Sequence, residues 1–127
     1  RQVQAAVVMS GPMEISTGSV AERSLTAVKP LANAIYLFGG TVKQEPELYK
    51  LADAHLHINK QTPPILFQFG GTEDPAKVQP SIDKLQKLGV STQLLTHYKD
   101  GKHGCWNRNP WFLPIIEDID TWFQEHL

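Results

Sequence analysis

Three polar segments of this sequence carry residue types able to move a proton. Ser10-Gly11-Pro12, Thr72-Glu73-Asp74 and Lys102-His103-Gly104 each lie at or just after the turn signal that closes a strand-like run. A carboxylate beside an imidazole fixes which ring nitrogen carries the proton and stabilises the ring once it is charged, as a general base requires. Glu73 followed along the chain by His103 therefore supplies two of the three groups of a Ser-His-acid hydrolase. Asp74 is the alternative acid, although an Asp before Pro75 also suits a helix N-cap. Ser10 does not suit a nucleophile elbow, which needs small residues two places before and after the serine; Val8 and Pro12 stand there, and a simple turn is the better reading. Cys105 lies too close to His103 in the chain for the two side chains to face each other, and reads as a small packing residue. His55 and His57 resemble half of a metal site, but no further His or Cys stands at ligand spacing, so no metal is expected there.

The elements that must carry these groups are legible from patterning. Val3 to Met9 is a short, nearly continuous apolar run of the kind found in a strand buried on both faces. From about Gly18 to Gln61 the chain is cut by Pro30, Gly39-Gly40 and Pro46 into pieces such as Leu31 to Leu37 and Glu47 to Ala54, which read as short helices and loops. Pro63-Pro64 opens a second strand, Ile65 to Phe69, closed by Gly70-Gly71. Val78, Ile82, Leu85 and Leu88 recur at helical spacing, with Pro80 in the first turn, lysines near the end and Gly89 as the stop. Ser91 to Tyr98 is a third strand. Phe112, Ile115, Ile116, Ile119, Trp122 and Phe123 form a wide apolar stripe on a terminal helix. This order predicts an α/β fold with parallel strands and right-handed crossovers. In such a sheet functional residues collect on loops at the carboxyl ends of the strands, here Ser10 to Glu14, Gly70 to Pro75 and Asp100 to Asn107. The tetrapeptide Phe-Gly-Gly-Thr occurs at Phe38 and again at Phe69, but the flanks differ, so it is not read as a repeat.

Composition narrows the function classes. The 127 residues hold 12 Lys+Arg against 13 Asp+Glu, a balance that supplies no basic face for nucleic acid or an anionic membrane. No apolar run is long enough for a membrane span. One cysteine permits no internal disulfide. The sequence opens on Arg1 and then a strand-like run, with no initiator Met and no visible signal peptide. It reads as a piece of something longer, with the compartment left open between secreted, periplasmic and cytoplasmic.

Three blocks resemble the C-terminal half of an α/β-hydrolase of the esterase/lipase type related to acetylxylan and feruloyl esterases. Phe38-Gly39-Gly40-Thr41 with Pro46-Glu47-Leu48-Tyr49, Ala52 and His57 resembles the helical insert that ends before the penultimate strand. Pro63 to Glu73 resembles the segment of two prolines, an apolar strand, Gly, two variable residues and the acid. Lys102-His103-Gly104, followed by Cys105-Trp106, resembles the loop of the catalytic histidine. The sequence departs from the family in having Glu73 where Asp is usual and Phe69 where His often stands. It contains no G-x-S-x-G and no His-Gly-Gly oxyanion segment, both of which precede the first of these strands in the family.

The resemblance implies about three parallel strands with flanking helices, residues 18–61 being the helical insert of one domain whose nucleophile-bearing half is absent. It implies a serine carboxylesterase or lipase acting on a small-molecule or polysaccharide-linked ester. His103 would be base and then acid, Glu73 (or Asp74) the orienting carboxylate, and Trp106 a wall of the substrate pocket; Trp111 and Phe112 serve as well for core packing. The 127 residues alone are expected to be inactive. The first strand, uncovered without the missing half, is expected to pair with that half or with a second copy. The alternative from another class is a non-catalytic α/β binding module or a degenerate hydrolase half.

Overall fold

The computed structural model describes residues 2–26 and 33–127. The chain divides into two compact units, Arg1–Gly11 with Asn59–Leu127 and Pro12–Ile58. The first unit holds one open sheet of three parallel strands, β1 (Ala6–Met9), β2 (Ile65–Gly70) and β3 (Thr92–Tyr98), in the order β1-β2-β3. Its helices are α5 (Gln79–Lys87), which connects β2 to β3, and the terminal α6 (Phe112–His126). The second unit contains α1 (Gly18–Thr26), α2 (Asn33–Phe38), α3 (Pro46–Ala52) and α4 (Ala54–His57). This is the expected α/β architecture with parallel strands.

The central strand explains the core. Every residue of β2 is buried, polar Gln68 included, as befits a mostly apolar strand between two hydrogen-bonded neighbours. Leu66 faces Ala5 and Trp122, with Val7, Leu95, Ile119 and Phe123 packed around them. Period-two alternation sends Ile65, Phe67 and Phe69 to the opposite face. The crossover helix α5 buries Ile82 and Leu85 after Val78, and carries Pro80 in its first turn, where a missing N–H costs nothing.

The run from Val3 to Met9 forms a strand only over Ala6–Met9. It lies at a sheet edge and is partly exposed throughout, so it is not buried on both faces as its composition alone suggested, but uncovered, as expected of a first strand without a covering half. The α6 stripe is likewise covered over part of its width. Ile115 and Trp122 are buried, whereas Phe112 and Ile116 are exposed.

In the second unit Asp53 is the organising group. Its carboxylate accepts from Ile15 N, Ser16 N and Ser16 Oγ at 2.6–2.9 Å and caps α4 through Leu56 N. Burial pushes this carboxyl up, but those hydrogen bonds outweigh it and hold it below the ordinary aspartate value. Tyr49 is fully buried against Phe38 and donates its hydroxyl to Gly40 O. The expected short helices are present between 18 and 57; Pro30 and the start of the Leu31 to Leu37 piece lie outside the described residues.

Candidate active site

The loops after β2 and β3 are stitched together by backbone. Gly71 N donates to Tyr98 O, and Thr72 donates through both N and Oγ1 to Gly101 O. A register shift between Gln68 and Gly70 sets Gly70 opposite Tyr98. There the two backbones approach so closely that a Cβ on Gly70 would collide with the Gly101 carbonyl. The Gly-Gly that closes the β2 sequence is therefore what lets the acid loop lie on the histidine loop.

This seam brings Glu73 and His103 together. Glu73 Oε1 lies 3.0 Å from His103 Nδ1. The other oxygen, Oε2, accepts from Gly70 N at 2.7 Å and from Ser10 Oγ at 2.5 Å. Burial pushes the Glu73 carboxyl up, but the hydrogen bonds from Ser10, His103 and Gly70, with the charge of the imidazole, hold it below the ordinary glutamate value. An ionised carboxylate only accepts hydrogen bonds, so the proton between the two groups sits on His103 Nδ1. In the neutral ring Nε2 then carries the lone pair. Nε2 has no hydrogen-bond partner among the described residues, and the His103 side chain is largely exposed. The arrangement can accept a proton at Nε2 from an approaching hydroxyl and return it to a leaving group, with Glu73 stabilising the charged ring between the two steps.

The other sequence-derived candidates separate clearly. Asp74 does not reach His103: its carboxylate accepts from Ala76 N and caps a 3₁₀ turn at Pro75–Val78. Trp106 is half-buried and meets the His103 ring edge-on at 5.1 Å, so it bounds one side of the imidazole. Trp111 instead donates its indole N–H to Lys99 O. Cys105 is buried with Tyr98 and Ile115 beneath the loop, where burial and then the Glu73 charge push its thiol up, the state of a packing residue and not of a nucleophile. His57 Nε2 lies at the Lys50 and Leu51 carbonyls, and no group of three or more His, Cys, Asp or Glu among the described residues could hold a metal ion. A groove of about 640 Å³ lined by Gln2, Val3, Gln4, Ala5 and Leu127 lies at the amino end of the strands, away from Glu73 and His103.

Sequence reasoning missed two features. Ser10 is a direct partner of Glu73, where the residue pattern offered only a turn; the available signal was its place on the first of the three strand-end loops. A polar chain running from buried Gln68 and Tyr98 out to partly exposed Asp118 and exposed His97 was also missed, because no short motif joins residues spread over β2, β3 and α6.

The site and fold together define an α/β protein whose open parallel sheet carries an acid-anchored imidazole at the carboxyl ends of its strands. Comparison with family models, with curated proteins and with solved structures finds no match to this chain. No helix among the described residues is long and apolar enough to cross a membrane.

Proposed function

We propose that this chain is the C-terminal part of an α/β-hydrolase-fold serine esterase or lipase, contributing the histidine and the acid of the triad. The observation that carries this reading is the anchoring of His103 by Nδ1 on an ionised, largely buried Glu73, with Nε2 left for a reacting hydroxyl. A serine from a preceding G-x-S-x-G segment attacks the carboxylic ester, His103 takes its proton and then delivers it to the departing alcohol, and water completes the cycle through the acyl-enzyme. Glu73, not Asp74, orients the ring. Trp106 flanks the ring and serves as a wall for the ester, whether small or attached to a polysaccharide. Metal and organic cofactor have no step in this chemistry.

Ser10 is not that nucleophile, because its hydroxyl points at the acid and not at His103 Nε2. The edge strand β1, with Val3 and Met9 exposed nearby, is the surface on which the nucleophile-bearing half would pair, or a second copy in its absence. The test is p-nitrophenyl acetate hydrolysis by the longer polypeptide and by this chain alone. The longer form should turn over and lose about 10²- to 10⁴-fold in kcat on His103→Ala, and this chain should be inactive. Near-normal activity of His103→Ala, or turnover by this chain alone that Ser10→Ala abolishes, would overturn the reading. No turnover by the longer form would leave a binding module.

A further inference from the structure

We propose that Ser10 is the positioning residue of the Glu73–His103 pair, its hydroxyl occupying one carboxylate oxygen so that the other stays aimed at the imidazole. The role depends on the esterase reading for its catalytic meaning. A glutamate reaches its partner through three side-chain torsions, and a single contact to His103 would leave the carboxylate free to rotate or withdraw. Here Oε2 is held from two directions, by Gly70 N from its own loop and by Ser10 Oγ from the end of β1. The extra methylene that distinguishes Glu from Asp at this place is thereby immobilised.

Ser10 is itself held in place. It is buried, its N donates to Gln68 O across the β1–β2 pair, and its carbonyl accepts from Lys77 Nζ at 2.9 Å. Lys77 also lies 5.0 Å over the Phe69 ring, which limits its own freedom. The Ser10 backbone has φ +52°, a conformation that glycine adopts without cost and other residues rarely do. At such a position the serine adds over glycine only its side chain, and that hydroxyl is spent on Glu73. Three consecutive strand ends thus contribute one member each, Ser10 after β1, Glu73 after β2 and His103 after β3.

The inference is testable on this chain without any turnover, through the ¹⁵N shifts of the His103 ring at a pH where it is neutral. The parent chain should show the Nδ1–H tautomer. Ser10→Gly, which keeps the backbone conformation unstrained, and Ser10→Ala should both move the ring toward the Nε2–H tautomer. A shift in Ser10→Ala alone would assign the effect to turn strain and overturn the proposal, as would unchanged ring shifts in both. Glu73→Gln in the same spectra separates the two levels. If it changes the tautomer while Ser10→Gly does not, only the role of Ser10 fails; if it changes nothing, the acid–imidazole pair fails and the esterase reading with it. Should the Ser10 variants fold poorly alone, the longer polypeptide supplies the second readout. There Ser10→Gly should lower kcat about 10- to 100-fold, the value of one hydrogen bond to a charged group, with KM unchanged, and an unchanged kcat would overturn the role.

Discussion

Among its described residues the first unit holds two histidine–carboxylate pairs, and they are built in opposite senses. His103 meets Glu73 through Nδ1 at 3.0 Å, whereas His97 meets Asp118 through Nε2 at 2.9 Å. Nδ1 lies near the ring's attachment to Cβ and Nε2 lies at its far end. Anchoring by Nδ1 therefore turns the far nitrogen outward, while anchoring by Nε2 consumes it. The acids differ as well. Glu73 is 12% exposed and gives each oxygen a separate task, one for the loop and one for the imidazole. Asp118 is 27% exposed and receives both His97 Nε2 and Tyr98 Oη on the same oxygen, as a junction between β3 and α6. A histidine and an acid in contact are thus not by themselves a catalytic pair. The ring nitrogen engaged separates them: both histidines lie at or beyond the carboxyl end of β3, but only His103 leaves Nε2 without a hydrogen-bond partner among the described residues.

The largest test of this contrast exchanges each acid for its amide. In Glu73→Gln, Gly70 N–H and the Ser10 hydroxyl still fix the amide oxygen at the Oε2 position, so the amide N–H₂ faces His103 Nδ1. The ring is then driven to the Nε2–H tautomer and has no lone pair for the nucleophile. If the proposed esterase function holds, ester hydrolysis by a longer, nucleophile-bearing polypeptide should fall by about 10³- to 10⁴-fold, measured as kcat. Asp118→Asn should leave kcat unchanged. Equal losses from the two substitutions would break the distinction.

The second test reverses the roles and reads stability. Tyr98→Phe removes the hydroxyl that accepts from Gln68 Nε2 at 2.6 Å and donates to Asp118 Oδ2 at 2.6 Å. Gln68 is buried, and its Oε1 already lacks a partner among the described residues. Its amide would keep only the 3.3 Å contact to Ile115 O. The expected cost is about 1–3 kcal/mol, seen as a lower urea midpoint at constant slope. Burial and then Asp118 push the Tyr98 hydroxyl far above its ordinary range, so it stays a neutral donor.

A smaller effect follows from the depressed Glu73 carboxyl. Because its folded value lies below the unfolded one, about 4.3 for glutamate, the stability it contributes is fully present above that value. It is lost as pH falls through the folded value. Glu73→Gln should therefore lose stability less steeply than the parent on acidification below about pH 5, while keeping the part of the slope that the similarly depressed Asp53 supplies. Identical slopes in urea titrations would show that Glu73 is not held as an anion.

How much of this was legible in sequence depends on whether a feature is local. The strands, α5 with Pro80 in its first turn, and the Asp74-Pro75 cap follow from residues within a few places of each other, and periodicity and turn chemistry reveal them. Placing Glu73 and His103 on neighbouring strand ends needed only the parallel order of the sheet. Ser10 was opaque because what selects it is a tertiary contact and a positive φ, neither of which has a local signature in a Ser-Gly-Pro turn. Composition alone made Val7 and Val8 look like interior residues; the uncovered edge expected of the first strand is what the strand order shows.

The smallest prediction is also the sharpest about which acid matters. Asp74 adjoins Glu73, bears the same charge and lies on the same loop, so chain position alone cannot separate them. Their hydrogen bonds do, since Asp74 turns back on Ala76 N at the start of a single 3₁₀ turn while Glu73 reaches across to His103. Asp74→Ala should cost only the value of an N-cap, about 0.5–1 kcal/mol, and should leave both kcat and the His103 tautomer as they are. If Asp74→Ala instead produced the loss expected of Glu73→Gln, the acid would be the wrong neighbour, and the role of Ser10, whose hydroxyl bonds Glu73 and not Asp74, would go with it.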